Sequence, residues 1–222
     1  METPSIAPPL HVRLVEGLER VAAALKADDW AAGRAAGLNP TQLMVLQALA
    51  GRPNGLSVKD LARQLSVSQP TTTDSVSALE RKALVEKRPD AADGRALRVV
   101  ITAAGRTAMH SAHATPGSVV EAAAALDTHD QVEMLGLLMS LIRQLQERDA
   151  IPIQRMCLSC RHFRPFAHAD AARPHHCAFV DAAFGQPDMR MDCREHEAAA
   201  APERAAIWAQ LQQERPAEIS DA

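Results

Sequence analysis

Several kinds of function are excluded by what this 222-residue chain lacks. No run of apolar residues is long enough to span a membrane, and no charged-then-apolar leader stands at its start, so a cytoplasmic protein is expected. Cations are not in excess: 24 Lys and Arg face 27 Asp and Glu, a net charge of −3. Bulk charge therefore gives no sign of a nucleic-acid partner. There is no glycine-rich phosphate loop, no metalloprotease helix and no paired carboxylates in a recognisable setting, and no enzyme is expected. No internal repeat is present. Cysteine is scarce, and the four that occur lie between Cys157 and Cys193. In a reducing compartment such a set favours a metal site over disulfides.

The stretch from Leu56 to Gly105 carries the clearest pattern. Ser57 and Asp60 have capping-box spacing, and Val58, Leu61, Ala62 and Leu65 repeat at helical spacing. Ser66-Val67-Ser68 is a turn. Ser68 then caps a second helix, Pro70 fits its first turn, and Thr72, Val76, Leu79 and Ala83 line its expected buried side. Gln69, Thr71, Asp74, Ser77 and Arg81 fall on the opposite side, with Thr73 at the margin. Short polar side chains at the start of such a helix can approach base edges in a major groove. After Leu84 the period shortens to about 2, which favours strands. Leu84 to Arg88 and Leu97 to Ile101 form a hairpin, with Pro89-Asp90-Ala91-Ala92-Asp93-Gly94 as its turn and Arg95 beside the tip. A helix-turn-helix followed by such a hairpin is a winged helix, and an arginine at a wing tip can enter a narrow minor groove. This stretch holds eight Lys and Arg against six Asp and Glu, so pattern carries more than charge.

Ser68-Gln69-Pro70-Thr71 through Leu79-Glu80, then Leu84-Val85, Asp93-Gly94-Arg95, and Leu97 through Thr102 with Gly105, resemble the multiple-antibiotic-resistance regulator (MarR) family. The resemblance spans roughly residues 10 to 147. It implies a homodimeric winged-helix transcription factor, usually a repressor, that binds double-stranded DNA at a pseudo-palindromic operator. It also implies an affinity altered by a small ligand or by oxidation; no residue pattern specifies the small-molecule effector. The DNA-contacting set it suggests is Ser68, Gln69, Pro70, Thr71, Thr73, Ser77, Arg81, Arg95 and Arg98. Ala83 stands where the family commonly has glycine. Asp74 stands where arginine or another polar residue is frequent, and its carboxylate would be repelled by phosphate.

Flanking helices follow from periodicity. Leu10, Leu14, Leu18, Val21, Ala22 and Leu25 predict a helix of about four turns, followed by a connection from Ala27 to Leu38. Asn39, Pro40 and Gln42 open the next helix, with Leu43, Leu46 and Leu49 as its core stripe. Beyond the wing, Thr102 caps a helix to about Ala114, and Val119 to Leu126 resumes as helix. Thr128 and Gln131 form another capping box, before a stripe of Val132, Leu135, Leu138, Met139 and Ile142. These helices are candidates for a dimer interface, because two recognition helices must stand about one DNA turn apart.

Composition changes after Ile153. Cys157-x2-Cys160-x16-Cys177-x15-Cys193 is a ligand pattern, and all four phenylalanines (Phe163, Phe166, Phe179, Phe184) share its segment. With few aliphatic residues in about forty, a metal would supply folding energy that a core cannot. Zinc takes four thiolates but usually as two close pairs, whereas Cys177 and Cys193 stand singly. Separated ligands suit an iron–sulfur cluster. A simple thiol pair with two buried cysteines is the third reading. The spacing resembles that of high-potential iron–sulfur proteins and small cluster-bearing subunits of glycyl-radical enzymes, in which aromatic residues shield a 4Fe–4S cluster. The 4Fe–4S cluster (4Fe-4S) is favoured, with zinc as the alternative. His175, His176 and His196 leave a site of three cysteines and one histidine open.

The expected architecture is mainly α with a small β-hairpin wing: a winged helix-turn-helix with flanking dimerisation helices, plus a small metal-stabilised module. Its parts are a disordered lead (1–9), the winged-helix domain (10–150), the four-cysteine module (151–200), and a terminal helix and tail (201–222). Function is then sequence-specific DNA binding, modulated by a redox- or metal-responsive centre. The competing function is an electron-transfer or enzyme-accessory protein whose winged helix only docks a partner.

Overall fold

The computed structural model describes residues 7–90 and 93–213. Most of the expected lead, Ala91 and Ala92 of the wing tip, and the expected tail lie outside the described residues. The chain divides into two compact units, Met1–Leu126 and Asp127–Ala222. The boundary falls ahead of the long helix that was expected to close the first domain near residue 150, so that helix belongs with the cysteines.

The first unit contains α1 (Leu10–Ala35), α2 (Pro40–Ala50), α3 (Val58–Leu65), α4 (Gln69–Arg81), β1 (Val85–Pro89), β2 (Leu97–Ile101), α5 (Ala103–Ala112) and α6 (Ser118–Ala124). Its core is Leu38, Leu43, Leu46, Leu49, Leu61, Val76, Leu79, Val85, Val99 and Ile101. α1 runs 26 residues, well past the four turns expected. The segment after Leu25 is rich in alanine, the best helix former, and nothing stops it before Gly37 at φ +66°. Asp28 on α1 supplies the cap that α6 lacks: its carboxylate accepts from the Val119 N–H at 3.1 Å and the Ser118 hydroxyl at 3.0 Å. These bonds, the one to the Val119 backbone first, hold the Asp28 carboxyl below its usual range.

Three expected caps are present. The Gln42 N–H donates to Asn39 Oδ1 at 2.8 Å, the Asp60 N–H to Ser57 Oγ at 3.0 Å, and the Gly105 N–H to Thr102 Oγ1 at 3.0 Å. β1 and β2 pair antiparallel from Val85↔Ile101 to Pro89↔Leu97. β1 starts one residue later than periodicity suggested, because the Leu84 N–H closes α4 on the Leu79 carbonyl at 3.0 Å. Leu56 bridges Val99, which anchors the wing to the helices. Gly55, at φ +64°, allows this approach: a Cβ there would stand 2.1 Å from the Val99 carbonyl.

The second unit holds α7 (Thr128–Glu147), β3 (Phe163–Arg164), β4 (His175–Cys177), β5 (Ala182–Phe184) and α8 (Ala201–Gln213), with short 3-10 turns at Cys157–Ser159 and Gln186–Asp188. β4 is the middle strand of a three-stranded antiparallel sheet. The cap of α7 is Asp127, not Thr128: Asp127 Oδ1 accepts from the Asp130 N–H at 2.9 Å. One position earlier, a carboxylate rather than a hydroxyl meets the positive end of the helix dipole. Met139, Met156, Leu158, Phe163, Met189 and Ile207 form the core, with Trp208 packed against it. The Arg143 guanidinium lies 4.2 Å above the Trp208 ring. α7 thus packs directly on the turn that bears Cys157. Among the described residues, no helix is long and apolar enough to cross a membrane.

Candidate functional site

Two sites emerge, one in each unit. In the first, α4 is held from behind by Thr72, Ser75, Val76 and Leu79, all buried. Ala83, expected on that buried side, lies beyond the helix end and is exposed at φ +57°. Ser68, Gln69, Pro70, Thr71, Thr73, Asp74 and Arg81 are exposed, and Ser77 is half-buried. Hydroxyl orientation limits what this face can offer. Thr73 Oγ1 donates to the Gln69 carbonyl at 2.9 Å, so its outward lone pairs only accept. Ser68 Oγ and Thr71 Oγ1 share one hydrogen bond of 2.7 Å, and Ser68 Oγ also accepts from the Thr71 N–H. Acceptors of this kind suit the amino groups of adenine and cytosine in a major groove.

Beside the wing tip Arg95 is exposed, and its backbone N–H donates to Asp93 Oδ1 at 3.0 Å. Arg98 is turned inward: Nε donates to Asp90, and Nη1 donates to the Gly55 carbonyl at 3.2 Å. It ties the wing stem to the loop after α2. Other cations in this region are also engaged: Lys87 pairs with Glu80 at 2.7 Å, and Arg88 pairs with Glu86.

In the second unit all four cysteines line one cavity of about 220 Å³. Cys157 and Cys160 sit on a 3-10 turn closed by the Cys160 N–H on the Cys157 carbonyl, 3.0 Å. Cys177 ends β4 opposite Phe163. Cys193 lies on a loop whose N–H is fixed to the Arg155 carbonyl at 2.8 Å. Phe163, Phe179, Val180 and Phe184 supply apolar walls, while Asp188, Arg190 and Glu195 supply the polar lining. All four thiols are free. Among the described residues, no three Cys, His, Asp or Glu side chains converge as a single metal ion requires. Burial, with smaller contributions from the neighbouring cysteines, pushes the Cys157 thiol up to about 11. Burial also raises Cys193. Such thiols stay protonated until a cation's charge displaces the proton.

The structure separates the histidines from the thiols. His175 is buried among Phe163, Phe166 and Phe184, with ring centroids 5.3, 5.0 and 5.7 Å away, and burial lowers its pKa. His196 Nε2 is bonded to Ser159 Oγ at 2.9 Å. His176 Nδ1 lies 3.2 Å from His168 Nε2. None of the three lines the cavity; His162, which was not singled out as a candidate, does. Arg190 and Glu195 were also missed. Their positions three residues before and two after Cys193 were the only hint.

Comparison with known proteins bears on the first unit. A family model described as MarR family matches residues 36–96. A transcriptional activatory protein, BadR, of Rhodopseudomonas palustris is 44% identical over 75 residues, covering 32% of this chain and 42% of that protein. The match thus spans less than half the length of that relative. Among solved structures, the regulator BldR of Sulfolobus solfataricus is similar at 24% identity and a TM-score of 0.51, covering 60% of this chain and 95% of that one. The MarR-family regulator Sco5413 of Streptomyces coelicolor is similar at 23% identity and a TM-score of 0.51, covering 62% and 96%. The matched part of the chain is a MarR-type winged helix.

Proposed function

We propose that the chain is a DNA-binding transcriptional regulator of MarR type, acting as a homodimer, in which a 4Fe–4S centre held by Cys157, Cys160, Cys177 and Cys193 modulates DNA affinity. The observation that carries the DNA reading is the exposed N-terminal face of α4, polar and acceptor-rich, over a fully buried rear, beside an exposed Arg95. Exposed apolar stripes support dimerisation: Leu10, Leu14, Leu18, Val21 and Leu25 on α1, and Met134, Leu137, Leu141 and Leu145 on α7. A pseudo-palindromic operator follows from two-fold symmetry. Repression was the expectation from the family resemblance. The BadR name gives the opposite sign, and the position of the operator relative to the promoter decides between them.

The donor set fits a cluster better than zinc. Four thiols spread around an apolar chamber leave room for a multinuclear core, whereas zinc draws its ligands to one point. When bound, such a core supplies a one-electron redox change. The protein's part is to exclude water with Phe163, Phe179 and Phe184 and to carry altered packing from the Cys157 turn through Met156 and Leu158 to Met139 on α7. Because α7 also presents an apolar face outward, a change in its packing shifts the population of dimers whose recognition helices match the operator.

Anaerobically purified protein tests both halves. It is expected to hold roughly four iron and four sulfide per chain, to enrich one pseudo-palindrome from random duplexes, and to change affinity for that site on oxidation. A colourless protein with one zinc per chain overturns the cluster. Failure to enrich any sequence overturns the regulator and favours an electron-transfer or accessory role.

A further inference from the structure

Arg190 meets the cysteine cavity twice. Its backbone N–H donates to Cys157 Sγ at 3.3 Å, and its carbonyl accepts from the Cys157 N–H at 3.1 Å. Its guanidinium Nη1 lies 3.7 Å from Cys193 Sγ and 3.5 Å from Glu195 Oε2. The Cys193 thiol in turn donates to Glu195 Oε2 at 3.3 Å. This triangle changes character once Cys193 becomes a ligand. A thiolate has no hydrogen to donate, so the contact with the carboxylate turns repulsive. Arg190 is the only lysine or arginine among the residues lining the cavity, and it reaches both partners.

We propose that Arg190 is the charge-compensating residue of the cysteine centre, and that its opposition to Glu195 sets the centre's midpoint potential. The inference rests on the cluster reading above. One electron entering from a soluble redox dye makes the cluster and its four thiolates more negative by one unit, with no bond or proton exchanged. A cation beside Cys193 stabilises the reduced state more than the oxidised one, and a carboxylate does the reverse. The amide on Cys157 acts in the same direction as the cation.

The test is a dye-mediated optical redox titration of reconstituted full-length protein under anaerobic conditions. Arg190→Gln is expected to lower the midpoint, with the ratio of oxidised to reduced centre at fixed potential rising about tenfold, or about 59 mV for one electron. Glu195→Gln is expected to raise it, and Arg190→Lys to stay near wild type because the charge remains. Arg161→Gln, which alters an exposed arginine paired with Glu197 outside the cavity, serves as the control and leaves the midpoint unchanged. Equal potentials in Arg190→Gln, Arg190→Lys and wild type overturn the proposal. If Arg190→Gln fails to load, Glu195→Gln still decides, since an unchanged or lowered midpoint there rejects it. Wild-type protein that takes up no iron and sulfide rejects the cluster reading, and this role with it; loaded variants without a shift reject only the role.

Discussion

Ala83 occupies left-handed backbone, φ +57°, directly after α4, and no glycine relieves it. A side chain there costs about 1–2 kcal/mol relative to a residue without Cβ, less the extra freedom glycine has when unfolded. Ala83→Gly is therefore expected to stabilise the first unit by about 1 kcal/mol, read as a raised denaturant midpoint with unchanged slope. Family resemblance singled this residue out, but only the backbone angle explains why glycine is common there. The two wing arginines divide the same way. Arg95 is exposed, so Arg95→Ala should weaken binding to most duplexes and make the salt slope shallower by about 0.9. Arg98 is bonded to Asp90 and to the Gly55 carbonyl, so Arg98→Ala should first lower thermal stability, by about 1–3 kcal/mol for the partners left unsatisfied. Sequence could list both as cations near the wing; it could not show that one of them is turned inward. Equal salt slopes in Arg95→Ala and wild type would remove Arg95 from the interface.

Among the elements, those with strong local chemistry were legible. Asn39 with Gln42, Ser57 with Asp60, and Thr102 before α5 mark helix starts that the structure reproduces, and the alternation in Leu97–Ile101 marks β2. The length of α1 was not legible, because an alanine-rich stretch without apolar periodicity looks like a connection until its intrinsic propensity is weighed. β3, β4 and β5 were not foreseen either. Strands of two or three residues are too short for a period to show, and they exist because flanking aromatic residues and cysteines hold them. The apolar stripe of α1 was legible in full, and its exposure leads to a prediction. Leu14→Glu with Leu18→Glu places charge on residues 59% and 40% exposed, which the unit's own core does not need. The double variant should keep its helical content by circular dichroism, sediment as a monomer, and bind a full palindrome no better than a half-site. A variant that stays dimeric with full operator affinity would take this stripe out of the interface.

For the molecule as a whole, the decisive arrangement is that the cysteines and α7 belong to one compact unit while the winged helix belongs to the other. The second unit's core leans on Met139, Met156 and Met189, flexible side chains that fill gaps but specify packing weakly. Between Arg155 and His196, strands of two or three residues offer few backbone ladders to offset chain entropy. A metal bound by all four thiolates would close loops of sixteen and fifteen residues between its ligands, and its binding energy becomes folding energy. Cys177→Ser and Cys193→Ser are each expected to lose most of the bound metal and to loosen this segment, seen as fast hydrogen exchange between 155 and 196. The first unit has its own aliphatic core and should keep slow exchange in α2, α4 and β2. Because α7 packs on the Cys157 turn, loosening should reach it and lower operator affinity in both variants, matching the effect of removing metal anaerobically from the wild type. Operator affinity equal in all metal states would leave the centre as a structural staple, and full metal content in both serine variants would show that Cys177 and Cys193 are not ligands.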